Sequence, residues 1–201
     1  ALRLHLGLPQ LDVLAHSAGC AVAQAWAAQH PAAVGTLVLV TPSDWLHGGS
    51  RADVAAIREG FSAEPWYPEA AAAAEALETA PPSQAAGLER MMRPFFYGRW
   101  DERTQEHAAS ADRQVSKRAL LGFRADAGDI DLPGLIARMS NVTAPVLVVG
   151  GTRDALTGLA ATQVVASAFP AGTVALVEGA GHFPWVDQPA GFRAAVDPWL
   201  A

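Results

Sequence analysis

The chain has 201 residues, 51% of them hydrophobic and 17% charged, with a net charge of −6 at pH 7. That length supports one domain with a substantial core, and the composition excludes a disordered chain. The acidic balance argues against nucleic acid as a partner, because that binding needs clustered Lys and Arg to displace counterions.

Lys117 is the only lysine and Cys20 the only cysteine, so no intrachain disulfide can form. No apolar run is long enough to span a bilayer. Arg3 and His5 interrupt the first apolar stretch, so it does not read as a signal peptide. The expected setting is the cytoplasm, away from membranes.

Residues 1–7 read as the last turns of an amphipathic helix closing at Gly7. The apolar run 11–15 reads as a buried strand. Residues 20–30 are Ala-rich, with Val22 and Trp26 one turn apart, and read as a helix ending before Pro31. Residues 36–41 form a second buried strand. Strand, helix and strand with short connections imply parallel pairing and a right-handed crossover.

From Asp44 to about Asn141 the pattern turns helical. Helices are expected over 51–61, 69–79, 84–93 with Ser83 as N-cap, 101 to about 121, and 132–139. Residues 94–100 are dense in aromatics. The sheet pattern resumes with a strand at 145–150, a helix at 156–169 and a fourth strand at 173–178. A glycine loop, 179–181, precedes His182, and a helix over 192–200 closes the chain. This divides the molecule into core sheet (1–43), helical cap (44–141) and core sheet (142–201). The fold class is α/β, a parallel sheet flanked by helices with a helical cap insertion.

The chemistry starts at Ser17. It stands between a strand and a helix, with Ala15 and Gly19 two positions either side. A strand that turns sharply into a helix brings two backbones close, and small residues allow it. The turn pushes the Ser17 hydroxyl outward and aims the Ala18 N–H at an oxyanion formed beside it.

Sites in open parallel sheets form at the C-terminal ends of strands. Ser17 follows the first strand, Asp154 the third and His182 the fourth. A serine hydroxyl needs an imidazole to take its proton, and the imidazole needs a carboxylate to fix its tautomer. Asp44, Asp126 and Asp187 compete for the acid role, Asp44 foremost. His16 is the rival histidine, but neighbouring elbow positions point different ways, so it is expected to pack or hydrogen-bond locally. His5, His30, His47 and His107 lack metal-ligand spacing, so neither a metal nor a cofactor is expected.

These motifs resemble those of the α/β-hydrolase superfamily, Ser-nucleophile type with a helical cap. Ala15-His16-Ser17-Ala18-Gly19 resembles the nucleophile elbow, 146–154 the strand and acid loop, and 179–184 the histidine loop. The order Ser, Asp, His is that of the family. The lid between the second and third strands is similar to that of proline-iminopeptidase-related hydrolases. Those peptidases carry Gly-Gly-Ser-Trp-Gly at the elbow, which argues against peptide cleavage here. The serine also sets the chain apart from Asp-nucleophile epoxide hydrolases and dehalogenases.

The family has eight strands, and the four counted here resemble the last four. The earlier strands, and the loop supplying a second oxyanion N–H, are expected in a missing N-terminal segment of the same protein. A lost donor costs about 10²–10³ in rate. The first strand would be left as an exposed apolar edge.

The resemblance implies a serine hydrolase of carboxylic esters, or of related thioesters or amides, acting on a small-molecule substrate. Ser17 would be nucleophile, His182 base and then acid, Asp154 its orienter and Ala18 N–H an oxyanion donor. Trp45, Trp66, Phe95, Phe96 and Trp100 are candidates for a substrate pocket, or for packing inside the cap. An aminopeptidase is the alternative and needs a buried cap carboxylate, with Glu64, Glu69 and Glu75 as candidates. A non-catalytic binding protein on a hydrolase scaffold is the third reading.

Overall fold

Four runs rich in Val and Leu form one parallel sheet in chain order: β1 (Leu11–His16), β2 (Val34–Val40), β3 (Val146–Gly151) and β4 (Gly172–Val177). The computed structural model describes residues 2–47, 52–114, 116 and 131–200. Among these the helices are α1 (Leu2–His5), α2 (Ala18–Gln29), α3 (Ala52–Glu59), α4 (Tyr67–Leu77), α5 (Pro82–Met91), α6 (Glu102–Gln114), α7 (Leu132–Met139), α8 (Gly158–Ser167), α9 (Pro184–Asp187) and α10 (Pro189–Val196). None of the helices in these residues is long and apolar enough to cross a membrane.

Alternation along β2 shows why these strands are almost wholly apolar. Leu37 and Leu39 join a cluster with Cys20, Ala23 and Ala27 of α2, Leu135 and Met139 of α7, and Val165 of α8. Val38 and Val40 join Val177 and Val196 on the opposite face, beside Trp185, Phe192 and Trp199. With helices on both faces, residues 37–40 of β2 and all of β3 are buried. β1 is an edge strand. Val13 and Ala15 pack on the first cluster, whereas Leu14, on the other face, is 45% exposed.

Several boundaries differ from the sequence expectation, each for a local reason. Helix α2 starts at Ala18, immediately after Ser17, because Ser17 itself makes the whole turn at φ 52, ψ −125. Helix α5 starts at Pro82, with Pro81 as its N-cap and Ser83 inside. A proline at the first helical position sacrifices no hydrogen bond and arrives with helical φ. Helix α8 starts at Gly158, because the Asp154 carboxylate first takes the N–H groups of Leu156 and Thr157. The closing helix expected over 192–200 is two pieces, α10, which starts earlier at Pro189, and a 3₁₀ turn over Asp197–Trp199, each with a proline in its first turn, and the short α9 precedes them. The expected extension of the helix from 101 towards 121 lies outside the described residues beyond Gln114, apart from Ser116.

Helices α4 and α5 pack with the Arg93–Phe96 turn around Phe61, Ala70, Ala73, Ala74, Met92 and Phe95. Helix α3 joins them to the sheet. Its Asp53 carboxylate accepts from the Leu159 and Ala160 N–H groups at the start of α8, and Arg58 Nε donates to Ala155 O. Helix α7, grouped with the cap on sequence, packs against α2 on the sheet, with Leu135 and Met139 one turn apart on its buried side.

Candidate active site

Ser17 lies at the C-terminal end of β1, and its N–H donates to Val40 O at 2.9 Å, extending the β1–β2 ladder by one residue. A non-glycine residue at φ 52 is uncommon. Cys20, fully buried, fills the back of this turn with Sγ 3.4 Å from both Ala15 O and Val40 O. Burial pushes its thiol up to about 12, so it stays protonated. Ala18 is the first residue of α2, so its N–H is among those the helix leaves without an internal acceptor.

A continuous hydrogen-bond chain runs from this serine. Ser17 Oγ is 2.8 Å from His182 Nε2, and His182 Nδ1 is 2.9 Å from Asp154 Oδ2. With a carboxylate at Nδ1, the neutral ring carries its proton there and offers Nε2 as acceptor to the hydroxyl. Asp154 is 1% exposed, and its Oδ1 accepts from Leu156 N and Thr157 N while Oδ2 also accepts from Thr157 Oγ1 at 2.7 Å. Burial alone would raise this carboxyl. The adjacent His182 ring and the hydrogen bonds from His182 and Thr157 outweigh that, and hold it below the ordinary carboxylate range.

His182 follows β4 through Gly179, at φ +72, and Gly181. A Cβ on Gly181 would stand 2.7 Å from Phe96 O, so only glycine lets the histidine loop run against the cap. Asp187 ties the two together, accepting from Gly181 N at 2.7 Å and Gly98 N at 2.9 Å. Burial raises the Asp187 carboxyl, with those two N–H groups pulling it back. His182 N donates to Phe96 O at 2.8 Å.

The family model for the alpha/beta hydrolase fold matches residues 1–189. The chain belongs to the α/β-hydrolase fold family. Solved structures similar to this hydrolase include an N-acyl homoserine lactone degrading enzyme, at 20% identity and TM-score 0.62, with 99% of this chain covering 71% of that one. An esterase from Exiguobacterium antarcticum shows 15% identity and TM-score 0.67, over 99% of this chain and 69% of the esterase. A 2-hydroxy-6-oxo-6-phenylhexa-2,4-dienoate hydrolase from Rhodococcus sp. strain RHA1 shows 14% identity and TM-score 0.64, over 99% and 66%. A search of curated proteins returned no match.

The remaining sequence candidates scatter through the hydrolase. Asp44 is buried after β2, and Asp187 serves the two glycines, so among the described residues Asp154 is the carboxylate that meets His182. Asp126 lies outside those residues. Trp45 is 46% exposed. Trp66 and Phe95 pack on each other and on Phe61 beside α4, and among the described residues the Trp66 indole N–H has no partner. Trp100 packs on Tyr97. Phe96 alone of the five lines a cavity of about 390 Å³ between α6 and the histidine loop.

Sequence reasoning missed that cavity's other aromatic walls, Tyr97, His107, Phe183 and Trp185, which stand with the polar Arg93, Ser110 and Gln114. Phe183 and Trp185 stand directly after His182, which was the available signal. The Phe96 and Phe183 rings also approach His182, with centroids 6.3 and 5.4 Å away. Tyr97 OH and His107 Nδ1 share a hydrogen bond of 2.8 Å. Burial lowers His107 and raises Tyr97, so both are neutral. His16 makes a bond across the fold, from Nε2 to His182 O at 2.9 Å.

Proposed function

We propose that this chain is a serine hydrolase that cleaves carboxylic esters, or related thioesters or amides, of a small apolar-tailed substrate. The observation that carries the reading is the Ser17–His182–Asp154 hydrogen-bond chain built on a positive-φ serine.

Ser17 Oγ attacks the substrate carbonyl carbon as its proton passes to His182 Nε2. Asp154 stays ionised and stabilises the imidazolium. The oxyanion forms beside the Ala18 N–H at the start of α2, where the helix dipole favours negative charge. His182 returns the proton to the leaving alcohol, and an acyl-enzyme remains on Ser17. Water then attacks the acyl carbon, giving its proton to His182, and the carboxylic acid leaves as Ser17 recovers its hydrogen.

The aromatic cavity beside Phe96 and Phe183 supports an apolar acyl or alcohol group. That similar solved structures include an esterase and a lactone-degrading enzyme agrees with ester chemistry. Aminopeptidase action needs a buried carboxylate for the substrate ammonium, but Glu64, Glu69 and Glu75 are all exposed.

The test is intact mass after treatment with a fluorophosphonate, alongside hydrolysis of short p-nitrophenyl esters and a proline arylamide. One adduct is expected, absent in Ser17→Ala, with esters cleaved faster than the arylamide and the variant down about 10⁶-fold. A folded wild-type chain that takes no adduct, or an adduct that survives Ser17→Ala, would rule the reading out.

A further inference from the structure

Apart from the triad's own bonds, one main-chain atom gathers two side-chain donors. The carbonyl oxygen of His182 accepts from His16 Nε2 at 2.9 Å and from Thr41 Oγ1 at 3.0 Å. His16 is the residue before Ser17, and Thr41 the residue after β2. A carbonyl oxygen has two lone pairs, so these donors saturate it.

The two donors are held in unusual ways. A carbonyl gives no proton, so His16 must carry its hydrogen on Nε2. Its ring sits 4.7 Å from Trp185 and 5.2 Å from Phe183, with the His182 ring 4.9 Å away. Burial, with the neighbouring His182, lowers its pKa to about 4. It therefore brings no competing charge to the ring that receives the Ser17 proton. Thr41 is 1% exposed and stands at φ 44. A β-branched residue in that region is a genuine outlier, and strain of this kind persists where the surroundings enforce it, often at functional sites. Glycine would relieve the strain and valine would fill the same space. Neither would bring the hydroxyl.

We infer that His16 and Thr41 are positioning residues of this hydrolase, holding the base over Ser17 by their two hydrogen bonds to the His182 carbonyl. The inference rests on the triad reading above. The need for such a hold comes from the loop itself. Gly179 and Gly181 bring no side chains to pack, so the loop before His182 is fixed through its backbone, Gly179 N–H donating to Thr152 Oγ1 and Gly181 N–H to Asp187, and neither bond reaches the carbonyl side of His182, while Nε2 must stay within reach of Oγ. Phe96 O fixes the N–H side of His182, and His16 and Thr41 fix its carbonyl side.

Paired variants test it. Thr41→Ser and His16→Gln keep a donor, whereas Thr41→Val and His16→Met keep the bulk without one. Fluorophosphonate labelling of Ser17 is expected to slow about tenfold in the Val and Met variants and to stay within about threefold of wild type in Ser and Gln. The ester kcat falls with the labelling rate, and KM holds. A packing role alone predicts the opposite order, because Val and Met suit a buried apolar site better. Val and Met variants that label like wild type, or Ser and Gln variants no faster than them, would overturn the inference.

The ring proton that His182 shares with Asp154 gives a low-field NMR signal that reports the hold whether or not Ser17 reacts. It is expected to stay sharp in Ser and Gln and to broaden in Val and Met, and equal signals in all four would count against the inference. A wild type with the sharp signal but no labelling would remove the triad reading, while the same variant pattern would still support the hold.

Discussion

The acid loop and the histidine loop solve the same problem in opposite ways. Asp154 is held by its own neighbours, since three of its four hydrogen bonds come from Leu156 and Thr157. His182 is held by strangers. Its main chain depends on His16, Thr41 and Phe96, and the loop before it depends on Asp187. A loop that closes on itself needs only a few correct residues in a row. A loop gripped from outside is in place only when the sheet, the cap and the last helices have all packed. The Asp154 carboxylate is therefore the more locally held of the two groups, although Thr152 N and Arg153 N of its loop donate to Val177 O and Ala180 O, and the hold on His182 should be the first to loosen.

Three further changes would break or sharpen this contrast. The largest effect is expected from Asp154→Asn, which keeps the acid loop's shape but reverses the preferred tautomer of His182. Ester turnover should fall about 10⁴-fold with little change in melting temperature. A loss under tenfold would mean the carboxylate does not set the ring.

Next comes Asp187→Ala, set against Thr157→Val. The first touches neither Ser17 nor the His182 ring, yet it strips the partner from two buried N–H groups, costing about 1–3 kcal/mol each. The second removes one hydroxyl from Asp154 and leaves the loop's backbone bonds intact. Asp187→Ala should therefore lose more activity and more stability than Thr157→Val, whose loss should be about tenfold. The reverse order, measured by ester kcat and urea unfolding, would show that the outside grip on the histidine loop is dispensable.

The smallest effect is in the pH dependence of stability. His16 titrates near 4 in the folded chain and near 6.5 when unfolded. Between those values the unfolded state binds the extra proton, so stability is full above about pH 6.5 and falls as pH drops towards 4. His47 and His107 are also lowered by burial and act with the same sign. Unfolding by urea at pH 7, 6, 5 and 4.5 should show the decline, and His16→Gln should remove about one proton from its slope. An unchanged slope would mean that His16 is not held neutral by the fold.

The same contrast explains what could be read from the sequence. The elbow, the acid loop and the histidine loop each announce themselves within a few residues, through small side chains at Ala15 and Gly19, or through a residue placed just past an apolar run. β2 and β3 were legible because burial on both faces makes them almost wholly apolar, and β1 and β4 because short apolar runs flank the turns beside them. The grip on His182 was not, because its donors stand 141 and 166 residues away in the chain. The cap aromatics were ambiguous for a related reason. Trp66, just before α4, and Phe95, in the Arg93–Phe96 turn, read as apolar without saying whether they meet a substrate or each other, and here both meet Phe61. Asp154 was preferred over Asp44 on chain order although both follow a strand, and the structure puts the Asp154 carboxylate 2.9 Å from His182 Nδ1.

The glycines at 98 and 181 bear on how such a molecule can diversify. Gly98 follows the Arg93–Phe96 turn and Gly181 follows β4, and a side chain on either would collide with the opposite backbone. An inserted module is usually pictured as exchangeable, with its seams at the ends of the insertion. Here a seam also runs through the middle, where residues 96–98 lie against 179–181. A transplanted lid that lacks a bare backbone at that crossing would wedge the two halves apart, so lids on this scaffold should travel between proteins only together with the loop beneath them.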